Sequence, residues 1–397
     1  LSFLGNKVDT PAGDQRLLTR GGGALSLSGP GSIPSLTNIS FVGNEALSAE
    51  TSCPQYDGLG GAVRVLDSAP TMNNVLFSGN RADAHGGAIY IARPSANTTP
   101  IELNNATFVG NFSEKCGDGH ALYYVTVQQL LVHNSIVWGN NADGAKAIFT
   151  ANPALQFKNS IVQGCDYTTP PPFTACGSDG GGNLTDDPLF VDQTPFAGGA
   201  QLGGNNRLTI GSPAVDVGDN SLVKAGVTID LDNRPRIVDG DGNSTATVDM
   251  GAYEVPFACP TTNGTTLRVD KDATGANTGL TWTDALPTLQ DALLLYDVCP
   301  EKVDEIWVAE GIYYPDRGGY FGDPSTTPLA DRRDRSFQLT NDGTGGVKIY
   351  GGFAGTENST GERGDPASNV TVLSGDIQQN DVTNAAGILL DPGGIVG

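Results

Sequence analysis

Apolar positions in the first half of the chain recur in two short phrases separated by polar, glycine-rich stretches. The first phrase is an aromatic or aliphatic residue, one spacer, Gly and usually Asn. It reads Phe3-Leu4-Gly5-Asn6, Phe41-Val42-Gly43-Asn44, Phe77-Ser78-Gly79-Asn80, Phe108-Val109-Gly110-Asn111, Val137-Trp138-Gly139-Asn140 and, degraded, Val162-Gln163-Gly164-Cys165. Its glycines lie 38, 36, 31, 29 and 25 residues apart, so the phrase is fixed while the loops between copies shrink. A constant phrase with elastic spacing predicts a solenoid of equivalent rungs. Between copies runs a second phrase, seen as Gly22-Gly23-Ala24-Leu25, Gly60-Gly61-Ala62-Val63 and Gly86-Gly87-Ala88-Ile89. It degrades to Gly119-His120-Ala121-Leu122 and then to Gly144 through Ile148. After it, Leu25 and Leu27, Val63 and Val65, and Ile89 and Ile91 alternate with Ser26, Arg64 and Tyr90, which is the period of a strand buried on one face.

Leu36, Met72, Leu103, Val132 and Phe157 each stand five residues before the apolar residue of the first phrase. Five is odd, so a straight strand would aim the two at opposite faces, and burying both requires a bend. Asn38, Asn74, Asn105, Asn134 and Asn159 fall at that bend, where stacked side chains would bond to their copies on neighbouring rungs. The expected fold class is all-β, a right-handed parallel β-helix solenoid, with rungs about 4.8 Å apart.

Rungs occupy residues 1–166, and a closing segment follows over 167–254. A linker is expected over 255–264, where Pro256, Pro260 and Gly264 break the pattern. Residues 265–397 read as the start of a second β-helix. Strands are expected at Leu267–Asp270, 305–309, 336–339, 347–353 and 370–373. A capping amphipathic helix is expected over Trp282–Tyr296, with Ala285, Leu289, Ala292 and Tyr296 on one stripe.

Composition narrows the functional classes. With 54 Gly and 24 Pro the chain is rich in turns, and no apolar run is long enough to span a membrane. A net charge of −22 and a pI near 4.3 lack the basic footprint that nucleic acid requires. A chain starting at Leu1 rather than Met reads as a mature product or an excerpt. The six cysteines, none in a CxxC spacing, favour disulfides in an oxidising compartment. The expected pairs are Cys165 with Cys176, Cys259 with Cys299, and the remaining Cys53 with Cys116.

The outward column after Arg64 carries Tyr90, Tyr123 and Phe149 on successive rungs, a spacing suited to stacking on sugar rings. Asp239, Asp241 and Asn243 have the alternate spacing of a calcium loop, with Asp230 and Asp232 able to complete the cage. The loop departs from an EF-hand, with Ser244 at its glycine position and Met250 at its last ligand position. Pectin lyases and glycosidases share this fold, so a polysaccharide-acting enzyme is the alternative reading. Yet Asp83, Asp118 and Asp143 form no stacked acidic column, and His85, His120 and His133 hold unrelated places in the repeat. No catalytic residue is named.

The phrases Asp187-Pro188-Leu189-Phe190-Val191-Asp192, Gly211-Ser212-Pro213-Ala214-Val215-Asp216 and Val248-Asp249-Met250-Gly251-Ala252-Tyr253-Glu254 resemble the closing segment of bacterial right-handed β-helix repeat proteins of the choice-of-anchor type. The Phe-x-Gly-Asn and Gly-Gly-Ala-Ile phrases resemble those of polymorphic outer-membrane proteins and related adhesins. The resemblance spans most of residues 1–254 and implies a secreted or cell-surface β-helix with substrate and partner unspecified; a structural or adhesive role is expected, and the aromatic column makes surface polysaccharide one partner class. Late rungs and a terminus come first in the chain, and a fresh start comes second. From that order we expect copies to stack head to tail, as a filament or a tandem array.

Overall fold

The computed structural model describes all residues except 11–20, 51–56, 93–98, 126–128, 142–146, 151–153, 166–175, 233, 242, 244, 256–258, 276, 300–301, 319–335, 338, 340–345, 366 and 378–397. Two compact units result, Leu1–Gly240 with Ser244–Pro256, and Asp241–Asn243 with Phe257–Gly397.

In the first unit the rungs build three parallel sheets. The first face stacks Ser2–Leu4, Ser35–Val42, Thr71–Ser78 and Ile101–Val109, then Leu130–His133 with Ile136–Trp138, and then Leu155–Lys158 with Ile161–Val162. The second stacks Lys7–Thr10, Glu45–Ser48, Arg81–Ala82 and Phe112–Ser113, and the third Leu25–Ser32, Val63–Ser68, Ile89–Ala92, Leu122–Val125 and Ile148–Thr150. This is a parallel β-helix solenoid.

Register places like on like. Phe3 pairs with Phe41, Phe41 with Phe77, Phe77 with Phe108, and Phe108 with Val137. The four rings stack at centroid spacings of 5.0, 5.2 and 4.7 Å. Leu25, Val63, Ile89, Leu122 and Ile148 form the facing column. Between these columns lies one continuous apolar core.

The bend residues Asn38, Asn74, Asn105, Asn134 and Asn159 all adopt φ between 46° and 55°, the left-handed region in which Asn is favoured. Their side chains do not form the full ladder expected from sequence. Asn74 donates to Asn38 at 2.8 Å, but Asn105, Asn134 and Asn159 bond elsewhere. The continuous ladder belongs instead to the Gly-Asn phrase. Asn6, Asn44, Asn80 and Asn111 each donate both backbone N–H and Nδ2 to the Oδ1 of the Asn on the next rung, at 2.8 to 3.1 Å. The left-handed bend turns the first set of side chains off the stacking axis, while the glycine before the second set holds those along it. The tandem glycines are needed for two reasons. Gly60 has φ 68°, and a Cβ on Gly61 would sit 2.0 Å from the carbonyl oxygen of Gly87 on the next rung.

After Leu184, which bridges to Ile161, the chain turns back along the flank of the rungs. Gln193 lies against Gly139, Thr194 against Gly110, Gln201 against Gly79 and Leu202 against Gly43, so this stretch retraces the solenoid. The bend asparagines hold the next stretch. Asn159 donates to Val217 O, Asn134 to Asp219 O, Asn74 to Ile229 O and Asn105 to Asp249 O, at 2.6 to 3.4 Å. Beneath this strap the outward residues Leu76, Val109, Ile136 and Ile161 pack against Ala252, Tyr253, Leu208, Val215 and Met250 in a second apolar layer. The strap is what makes the first face buried on both sides.

The second unit carries a parallel sheet of Thr265–Val269, Val303–Ala309 and Lys348–Phe353, and a pair of Gly311–Tyr313 with Thr371–Leu373. Helix α1 spans Leu289–Val298 and starts later than the sequence pattern suggests. Leu286 is held in a bridge to Val269, and Pro287 both lacks a donor and biases Leu286 away from the helical region. Ala285, Leu289, Ala292 and Tyr296 are all buried. The described residues of 336–339 carry no strand, and Gln338 lies outside them.

Thr288 caps α1, with its Oγ1 accepting from Asp291 N at 3.1 Å and donating to Asp291 Oδ2 at 2.6 Å. Thr288→Ala is expected to cost about 1 kcal/mol, the usual value of such a cap. Thermal unfolding should show this, and Thr288→Ser should recover most of the loss.

Candidate functional site

Strand alternation places Ser26, Arg64, Tyr90, Tyr123 and Phe149 in one outward column on the third face. Tyr90 and Tyr123 stack at 5.3 Å with planes 10° apart, and Tyr123 and Phe149 at 4.6 Å and 6°. His85, from the loop before the strand, lies 4.1 Å from the Tyr123 ring. The column is half-buried at its rings and buried at Arg64. Burial raises both tyrosine pKa values and lowers that of His85, so all three are neutral at physiological pH. The rings cover one another's faces, so the strip offers hydroxyls and ring edges. The stacking leaves no gap between the rings for a ligand to enter.

The five residues expected to hold calcium are divided. Asp230 is buried, its Oδ1 accepting from the N–H groups of Asp232 and Arg234 at 2.8 and 2.9 Å and its Oδ2 from Glu254 N at 2.9 Å. Asp232 forms a bidentate pair with Arg207, both bonds at 2.6 Å. Burial opposes ionisation of Asp232, but the Arg207 guanidinium outweighs it and lowers the pKa. Asp241 accepts from its own neighbour, Asn243 N, at 2.9 Å. Asp239 belongs to the first unit and the segment Asp241–Asn243 to the second.

Sequence reasoning passed over the polar centre of the strap. Arg236 is fully enclosed and donates through Nη2 to Asp249 O at 3.0 Å, Gly251 O at 2.8 Å and Glu254 Oε1 at 2.9 Å. The Asp249 carboxylate accepts from Asp216 N at 2.8 Å and Val255 N at 2.7 Å. Glu254 accepts from Asp249 N at 3.0 Å. Burial pushes Asp249 up to about 7, Asp230 up to about 6, and Glu254 well above the usual carboxylate range. The available signal was the two acids of the Val248–Glu254 phrase within twenty residues of Arg234 and Arg236. Such pairing explains that phrase without catalysis.

Cys165 and Cys176 are bonded with Cα atoms 5.5 Å apart, and Cys259 and Cys299 with Cα atoms 5.9 Å apart. Cys116 is also disulfide-bonded, while Cys53 lies outside the described residues. Asp83 is buried between Arg81 at 2.9 Å and Lys115 at 2.8 Å and accepts from Ser48 N, a clamp across rungs. Asp143 lies outside the described residues. His120 accepts through Nδ1 from Ser113 N at 3.0 Å, and His133 bonds to Asn104 at 3.1 Å.

No curated protein and no solved structure matches the chain. Residues 74–92, which run from the bend at Asn74 through Phe77-Ser78-Gly79-Asn80 to Gly86-Gly87-Ala88-Ile89, match the Chlamydia polymorphic membrane protein repeat. Part of one rung, from its bend to the strand that carries Tyr90, is thus similar to a repeat of that family.

Proposed function

We propose that the protein is an adhesin-like β-helix of the cell surface, with the Tyr90, Tyr123 and Phe149 strip as its contact surface. The observation that carries this reading is the part-rung of residues 74–92, which is similar to a membrane-protein repeat and contributes Tyr90 to the strip. Among the described residues no helix is long and apolar enough to cross a membrane. Surface polysaccharide is the partner class, met through phenolic hydroxyls and ring edges. Calcium binding belongs to the same proposal, and millimolar calcium should raise the unfolding temperature relative to chelator. So does head-to-tail self-association of copies, as a filament or a tandem array.

The deciding measurement is retention on immobilised acidic and neutral polysaccharides. Tyr123→Ser, at the centre of the strip, should reduce it at least about tenfold in protein that is still folded at the assay temperature, the scale of one well-placed aromatic anchor. Equal retention of the variant would remove the strip from the proposal. New reducing ends or unsaturated products during incubation would replace it with an enzyme.

A further inference from the structure

We propose that the second unit carries a binding site for carboxylate-bearing glycans, because Arg268 and Arg363 stand on one aromatic cluster and turn guanidinium edges to solvent with no acidic partner among the described residues. Strand register builds the cluster. Arg268, Trp307 and Tyr350 occupy one outward column on successive strands, and Phe353 stacks on Trp307 at 4.9 Å with planes 10° apart. The Arg268 guanidinium lies 5.3 Å from the Trp307 ring centre and 5.9 Å from that of Trp282. Arg363 lies 5.2 Å from the ring centre of Tyr350 and 5.5 Å from that of Phe353. Ring contacts of this kind hold a guanidinium by its face and leave its edge for other partners.

An arginine side chain presents five N–H donors in a planar fork. Arg268 donates through Nη1 to Leu280 O at 2.6 Å and Thr266 O at 3.5 Å. Arg363 donates through Nε to Thr360 O at 3.2 Å and through Nη1 to Gly351 O at 3.1 Å. Nη2 of each has no partner among the described residues, and both side chains are only half-buried, so these donors face solvent. The chain has 44 acidic and 22 basic residues, so a carboxylate is the expected neighbour of any arginine. Arg81, Arg207 and Arg236 each have one. Around this cluster the carboxylates are committed elsewhere. Glu305 accepts from Trp307 Nε1 at 2.9 Å, Glu357 from Ala354 N at 2.7 Å and Thr356 N at 2.9 Å, and Glu362 from Asn358 N at 2.9 Å. Burial lowers the pKa of Arg268 with no carboxylate to offset it, yet a guanidinium stays charged at neutral pH.

Such a fork is filled best by a planar anion, which accepts two parallel N–H bonds. Trp282 and Tyr350 are half-buried, so part of each ring lies open beside the guanidinium groups and suits the C–H face of a sugar. A uronate residue brings both features in one rigid unit, and a run of uronates brings a second carboxylate for the second arginine. An acidic peptide carries its carboxylates on flexible stems and offers no rigid apolar face to the rings. The net charge of −22 repels polyanions from the rest of the chain, which leaves this pair of forks as the place where one is held. The site is separate from the strip of Tyr90, Tyr123 and Phe149, which belongs to the first unit.

The test is titration of the intact protein with trigalacturonate, followed by tryptophan fluorescence, for which Trp282 and Trp307 are two of the three sources. The neutral galactose trisaccharide of the same linkage is the control. A saturating change is expected with the acidic trisaccharide and none with the neutral one. Arg363→Gln should weaken binding at least about tenfold, the scale of lost hydrogen bonds to a charged group, and Arg268→Gln serves the same end if that variant does not fold. Arg363→Lys keeps the charge without the fork and should restore only part of the affinity. Tyr123→Ser should leave this titration unchanged, which separates failure of this site from failure of the strip. No response to trigalacturonate, an equal response to the neutral trisaccharide, or undiminished affinity in the glutamine variants would overturn the site. Tighter binding of a triaspartate peptide would overturn its assignment to glycans.

Discussion

Replacing Phe77 with alanine is expected to destabilise the first unit by about 3–5 kcal/mol, the range for truncating a fully buried phenylalanine. Its ring is inaccessible to solvent and sits between Phe41 at 5.2 Å and Phe108 at 4.7 Å. Truncation therefore leaves a void and removes two stacking contacts, each worth about 0.5–1.5 kcal/mol beyond area burial. In a solenoid each rung rests on its neighbours, so the loss falls on two interfaces and neither can relax independently. Phe3, which among the described residues stacks on Phe41 alone and is half-buried, should cost less than half as much when truncated. Urea unfolding of the two variants makes the comparison. A Phe3→Ala loss equal to that of Phe77→Ala would show that the rings contribute as isolated apolar groups and that no ladder exists.

Asn80→Ala should be nearly as severe although it removes only a small polar group. Asn80 Oδ1 accepts both Asn44 N and Asn44 Nδ2 at 2.9 Å, and its Nδ2 donates to Phe41 O and to Asn111 Oδ1, both at 2.9 Å. All four residues are fully or almost fully buried, so water cannot replace the lost partner. Each abandoned buried donor or acceptor costs about 1–3 kcal/mol, which sets the expected loss at about 3 kcal/mol or more. Asn80→Asp keeps the acceptors for Asn44 but opposes Asn111 Oδ1 with a second oxygen, so it should not rescue at neutral pH. Asn6→Ala, at the exposed end of the ladder, should cost no more than about 1 kcal/mol. Comparable losses at Asn6 and Asn80 would refute the buried ladder as the source of the effect.

Much of the solenoid was legible because its determinants are local and repeated. The odd spacing from Met72 to Phe77 required a bend, and Asn74 at φ 50° supplies it. The Phe-x-Gly-Asn phrase fixed the register, since identical residues gain most when stacked on one another. The spacing points to the bend asparagines for the side-chain ladder and misses the Gly-Asn set, because spacing locates a bend without giving the direction in which a left-handed residue points. The apolar stripe through Ala285 suggests a longer helix than α1, whose start is delayed by Pro287 and the bridge at Leu286.

By itself the sequence determined the rung: strand period, glycine corners, left-handed asparagines and the columns of Phe and of Leu, Val and Ile. These follow from steric rules and side-chain alternation within about forty residues, and repetition amplifies them. Only the tertiary structure decided where residues 184–255 lie and what their acids do. The contacts that dock the strap join Asn74 to Ile229 across 155 residues and Asn105 to Asp249 across 144. Charge spacing alone made Asp230 and Asp232 look like calcium ligands. In the folded chain they face backbone amides and Arg207, because a carboxylate removed from water must take whichever buried donors the fold brings to it.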